Sequence, residues 1–232
     1  MKNQSPVVFF DKEHAERYDE RFAKLAPMRD ALYFLIGNVF AELRADARIL
    51  CVGAGTGLEA IYLAAKFPNW HFTLVEPSAP MLDVCRRRTE EAGIASRCVY
   101  HEGYLDSLPE TEPFDAATSL LVSHFILSKE ARTTFFREIA ERLLPGGFLV
   151  NADLASDTSA ETFSRLFEFW FRLMKGADIS PEEVEKFRIA YQKDVAILPP
   201  QEVGNIIATG GFTSPVLFHQ TGLIHGWYSQ RS

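Results

Sequence analysis

A chain of 232 residues, 47% hydrophobic and 24% charged, has the length and composition of one α/β domain with a well-buried core. Its net charge of −7 opposes broad electrostatic contact with nucleic acid, whose affinity depends on neutralising phosphates. No apolar run approaches the roughly 18 residues of a spanning helix, and Met1-Lys2-Asn3-Gln4-Ser5-Pro6 lacks a signal peptide's apolar region, so a cytoplasmic location without membrane contact is expected.

Residues 11–44 read as helical segments with a boundary near Ala26-Pro27, and they form a candidate N-terminal lid (1–44) in which Tyr18 and Arg21 are polar candidates. A strand–helix alternation follows over 45–155. Ile49–Val52 is the first strand and Leu58–Phe67 its helix, ended by Pro68-Asn69. Trp70–Val75 is the second strand, and Ser78 caps a helix running to Gly93. Arg97–His101 and Asp115–Leu120 are strands three and four. Lys129–Leu144 has apolar residues at helical spacing, and Pro145-Gly146-Gly147 separates it from strand five, Phe148–Leu154. Short buried strands alternating with helices imply a parallel sheet covered on both faces.

The pattern changes after Asp153. Thr158–Lys175 and Pro181–Gln192 form a helical cap insertion (156–198) over the ligand edge of the sheet. Phe163, Phe167, Phe169, Trp170 and Phe171 supply more aromatic surface than one helix face needs, which fits core packing, an apolar pocket or a homodimer contact. A closing unit (199–232) holds the helix Pro200–Thr209, ended by Gly210-Gly211, and two strands joined at Thr221-Gly222, which must be antiparallel. The fold class is therefore a Rossmann-like α/β single domain: a seven-stranded, mostly parallel sheet with helices on both faces and an antiparallel final strand.

The segment Val52-Gly53-Ala54-Gly55-Thr56-Gly57-Leu58 carries the chemistry. Alternating glycines between a strand and a helix let a ligand approach bare backbone beside unpaired N–H groups. A dinucleotide fingerprint requires its third glycine one residue later, where this chain has Leu58. Glu76, at the end of strand two, stands where a carboxylate accepts two ribose hydroxyls. Cys51, Cys85 and Cys98 have no zinc-like spacing, no metal site is expected, and Arg86-Arg87-Arg88 reads as a solvated helix surface.

Four motifs occur in order: Ile49–Gly57, Val75–Leu82, Phe114–Ala117 and Leu143–Val150. With them the chain resembles the class I S-adenosylmethionine-dependent methyltransferases. The resemblance implies S-adenosyl-L-methionine as cofactor, lying across the C-terminal strand edges. Carried over by position, Gly53, Ala54, Gly55 and Gly57 surround the methionine portion, Glu76 holds the ribose, Pro77 and Met81 flank the adenine, and Leu121 faces the cofactor from strand four. The adenine amino group falls near Tyr104, Leu105 and Asp106, through the Leu105 backbone, the Asp106 side chain or both. Cys51 departs from the pattern, since the family usually places an acidic residue there; backbone carbonyls near Val52 and Gly53 are candidate replacements. The cap also resembles, loosely, the carboxy-S-adenosylmethionine synthase group, with Arg188 as counterpart of its carboxylate-holding residue.

His124 follows strand four, at the edge that faces the methyl group in this family, and an imidazole titrates near neutral pH. It is the first candidate for a general base, against a core or pocket-wall histidine. Asp153 is the second candidate, against a helix-capping or cap-fixing role; Tyr191, His219 and His225 are further polar residues. The leading expectation is methyl transfer to a small, partly apolar molecule. The alternatives are a carboxy-S-adenosylmethionine synthase-like enzyme, a non-catalytic S-adenosylmethionine-binding protein and a nicotinamide dinucleotide oxidoreductase.

Overall fold

The computed structural model describes residues 23–176 and 179–232. Among the described residues, seven α-helices and seven strands follow in chain order: α1 (Ala26–Val39), β1 (Arg48–Val52), α2 (Leu58–Lys66), β2 (His71–Glu76), α3 (Ala79–Glu91), β3 (Cys98–Glu102), β4 (Phe114–Leu120), α4 (Lys129–Arg142), β5 (Leu143–Leu154), α5 (Phe163–Gly176), α6 (Pro181–Lys193), α7 (Pro200–Thr209), β6 (Phe212–Thr221) and β7 (Ile224–Arg231). The sheet order is β3-β2-β1-β4-β5-β7-β6. β7 runs antiparallel to both neighbours, and the other pairs are parallel.

Alternation along β1 separates two cores. Ile49 and Cys51 face α1, α2 and α3, with Leu32, Leu63 and Leu82. Leu50 and Val52 face α4 and α7, with Phe136, Ile139, Val203 and Ile207. A strand with apolar residues on both faces must lie inside the sheet, and β1 sits between β2 and β4. A third core joins α5 and α6 to Leu121, Phe125, Leu154 and Leu223, so the cap rests on the C-terminal edges of β4 and β5 and on the β6–β7 hairpin.

Several boundaries differ from the sequence reading. β5 begins at Leu143 and α4 stops at Arg142. Gly146 has φ of 74°, and a Cβ on Gly147 would lie 2.9 Å from the Leu144 carbonyl and 3.1 Å from that of Asp115, so the glycines let β5 bend and still pair. α5 starts at Phe163 because the Asp157 carboxylate accepts from both the amide and the hydroxyl of Ser159, a local turn that competes with helix. Of the expected lid, Tyr18 and Arg21 lie outside the described residues. α1 covers the sheet face through Leu32 and Ile36, while Leu25 and Met28 at its start meet the cap.

Candidate cofactor and active site

Three glycines hold the β1–α2 loop for three reasons. All have positive φ: 73° at Gly53, 55° at Gly55 and 80° at Gly57. A Cβ on Gly53 would lie 2.3 Å from Val122 Cγ2, and one on Gly57 2.6 Å from Cys85 Sγ, so these two permit close packing of the β4–α4 segment and of α3. At Gly55 the nearest such atom is Met81 Cε at 3.6 Å, which leaves the approach to its backbone open. The amides of Gly53 and Ala54 donate to the Val75 carbonyl at 2.8 and 3.0 Å, fixing the loop to β2.

Glu76 is gripped by backbone: the Gly55 amide donates to Oε2 and the Ser78 amide to Oε1, both at 2.9 Å. Each oxygen keeps a lone pair for a further donor. Burial pushes this carboxyl above its ordinary pKa, against the two N–H bonds that pull it down.

A second buried carboxyl lies beneath the loop. Glu59, in the first turn of α2 and 7% exposed, accepts the Thr118 hydroxyl at 2.7 Å and lies near the Cys51 thiol. Burial raises its pKa, and Thr118 and Cys51 oppose that rise. Among the described residues, no Lys, Arg or His pairs with either glutamate. Sequence reasoning missed Glu59, which in sequence reads as a surface charge on an amphipathic helix.

His124 lies on the turn after β4 and is 3% exposed. Its Nδ1 is 3.0 Å from Asp153 Oδ1, which also accepts its backbone N–H at 3.0 Å. The Leu154 amide reaches Nδ1 only at 3.5 Å, outside good hydrogen-bond range, so the carboxylate sets the tautomer: Nδ1 donates and Nε2 carries the lone pair. Asp153 has no exposure at all. Its Oδ2 accepts from Arg132 and Asn151, both at 2.7 Å, and from the Ser123 hydroxyl, which itself accepts Arg132 Nε at 2.8 Å. Burial alone would raise the Asp153 pKa, but Arg132, His124 and Asn151 outweigh it and hold the carboxyl well below the usual range. Asp153 is consequently not placed to take a substrate proton. It orients His124, and Arg132, Ser123 and Asn151 are the partners that sequence reasoning did not name.

The remaining candidates divide. Met81 and Ala54 are buried beside the loop, Pro77 is half-buried, and Leu121 turns the end of β4 with φ of 60°. In the loop after β3, Leu105 is buried and Tyr104 is 47% exposed. Asp106 is exposed in a groove with Glu110, Glu138 and Glu141, so its side chain lies toward α4. The Leu105 carbonyl accepts from Arg142 and from the Leu108 amide, both at 3.1 Å. Arg188 pairs with Glu168 at 2.9 Å and lies 4.4 Å over the Phe171 ring, commitments internal to the cap. The Tyr191 hydroxyl accepts from Trp170 Nε1, His219 meets Thr221, and His225 meets the Leu223 carbonyl. Phe163, Phe167, Trp170 and Phe171 pack in the cap core, whereas Phe169 is 43% exposed.

Residues 49–147 match the family model of a methyltransferase domain. The fatty-acid O-methyltransferase of Mycolicibacterium smegmatis is 32% identical over 107 residues, covering 46% of this chain and 36% of that one. The chain spans between 24% and 36% of the length of the curated relatives it matches. A putative O-methyltransferase of Nostoc punctiforme superposes with a TM-score of 0.66 at 16% identity, over 95% of this chain and 60% of that one. An O-methyltransferase family 2 protein of Planctomyces limnophilus, solved with apigenin, gives 0.63 at 17% identity, over 96% and 62%. At such identities the solved structures speak for the fold, including the antiparallel β7. Residues 49–147 are thus similar to a methyltransferase domain, within a chain that has the fold of the solved methyltransferases.

Proposed function

We propose that this protein transfers a methyl group from S-adenosylmethionine to a small, partly apolar molecule bearing an acidic O–H group. One observation carries the donor: an open glycine loop flanked by two buried carboxyls that have no cationic partner among the described residues. Leu58 in place of the third fingerprint glycine disfavours a nicotinamide dinucleotide. A ligand with two ribose hydroxyls and positive charge suits the site. Glu76 would accept the hydroxyls with its remaining lone pairs, the Gly55 backbone would hold the methionine portion, and Met81 would border the adenine. When bound, the cofactor supplies an activated methyl group on sulfur, so the protein's share is alignment, exclusion of water and removal of one proton.

His124 is suited to that proton. Asp153 keeps Nδ1 protonated, and Nε2 accepts the proton as the acceptor oxygen attacks. Leu121 and Phe125, on either side of His124, belong to the same apolar cluster as Phe163, Phe167 and Tyr191, which gives the acceptor side an apolar wall. The fatty acid and the apigenin in the names of two similar proteins are both apolar molecules with acidic O–H groups. The test is transfer of labelled methyl from S-adenosylmethionine to small-molecule extracts, with mass spectrometry of the product. His124→Ala is expected to slow turnover by about 10²-fold or more with donor affinity unchanged. Undiminished turnover would remove the base, and absence of transfer to any extract would point to a non-catalytic binding protein.

A further inference from the structure

Glu59 is a buried ionisable group to which the reaction above assigns no contact of its own. A side chain of this kind costs free energy unless paired, yet its neighbours are two neutral groups: the Thr118 hydroxyl, which donates to it at 2.7 Å, and the nearby Cys51 thiol. Its place is specific. Cys51 and Thr118 are register partners on β1 and β4, and the next pair along is Val52 and Ser119, after which β1 enters the glycine loop. Glu59 itself stands two residues after Gly57, in the first turn of α2. The carboxyl therefore meets the sheet at Thr118, beside Cys51 and below the loop. The positive end of the α2 dipole favours its ionised form, but a helix terminus supplies only a partial charge.

We propose that Glu59 is a positioning residue for the methionine end of the methyl donor, its carboxylate acting from beneath the loop as the counter-charge to the ligand's positive groups. This rests on the donor assigned above. A plain structural anchor between α2 and β4 would bind Thr118 equally well with a neutral amide. A counter-charge would not survive that change, and the two roles separate experimentally.

Calorimetry on the full chain with two ligands makes the separation: S-adenosylmethionine, and methylthioadenosine, which keeps the adenosine but lacks the charged methionine groups. Glu59→Gln is expected to weaken the first by about tenfold, the order expected when one unit charge is removed near another at intermediate dielectric. Methylthioadenosine affinity should change by less than about twofold. Equal weakening of both ligands, or unchanged S-adenosylmethionine affinity, would overturn the proposal. If Glu59→Gln does not fold, Cys51→Asp with Glu59→Leu moves the charge onto β1; retained preference for the charged ligand supports the proposal, and its loss refutes it. Failure of the wild-type chain to bind either ligand would instead defeat the donor assignment, a distinct result.

Discussion

Asp153 and Glu76 are both buried carboxylates near the C-terminal edge of the sheet, and their surroundings push them in opposite directions. Glu76 has two neutral N–H donors, too few to offset burial, so its pKa rises. Asp153 has Arg132 at 2.7 Å together with His124, Asn151 and Ser123, so it stays ionised. Because Arg132 is equally buried, neutralising Asp153 strands a cation with no water to receive it. Asp153→Asn is expected to cost about 3–5 kcal/mol in urea denaturation at pH 7. The pH dependence has a definite sign. An unfolded aspartate titrates near about 3.9, and the folded one lower, so the contribution is complete above that pH and fades as pH falls toward the folded value. The wild-type advantage over Asp153→Asn should therefore shrink below about pH 4; an advantage constant down to pH 3 would show that the pair acts by packing alone.

At the scale of elements, the β1–α2 unit assigns its glycines separate duties, and substitution distinguishes them. Gly57→Ala sets a methyl group against Cys85 at 2.6 Å on a backbone with φ of 80°, so α2 and α3 must separate. Gly55→Ala meets only ordinary contact at 3.6 Å, and its strain is limited to φ of 55°. Thermal unfolding should show the larger stability loss for Gly57→Ala, with a penalty near about 1–2 kcal/mol for Gly55→Ala. Calorimetry should show Gly55→Ala losing donor affinity beyond its stability cost, and a reversed order would place the ligand approach at Gly57. The loop's existence was legible because glycine spacing after an apolar strand is a local signal, and β1 follows from the uninterrupted apolar run Ile49–Val52. Glu59 and Arg132 were not legible, because each reads as a surface charge on an amphipathic helix. Only packing against Thr118 and Asp153, 59 and 21 residues away in sequence, gives them partners. The start of β5 was obscured by Pro145, which marks a break in most contexts and here sits inside a bent strand.

Across the whole molecule, the donor loop and the cap belong to different cores, so a change in the cap is expected to leave donor binding intact. Cys51, Ala54 and Cys85 lie in the cluster with α1 to α3, whereas α5 and α6 pack on Leu154 and Leu223. Trp170 is the cap's principal fixture: it is 5% exposed, and a Cβ on Gly222 would lie 2.7 Å from its Cε3, so the indole rests directly on the β6–β7 turn. Its Nε1 also donates to Tyr191 of α6, tying the two cap helices together. Trp170→Ala removes both contacts at a cost of about 3–5 kcal/mol, which exceeds what a small two-helix insertion can sustain while staying closed. The cap should then open locally with the sheet intact. Hydrogen exchange is expected to quicken across α5 and α6 while β1, β2 and β4 keep their protection. Because the apolar wall beside His124 is shared with the cap, KM for the acceptor should rise while S-adenosylmethionine affinity is unchanged. An equal loss of donor affinity, or accelerated exchange in β1, would mean that cap and donor loop form one cooperative unit and that the two cores do not act separately.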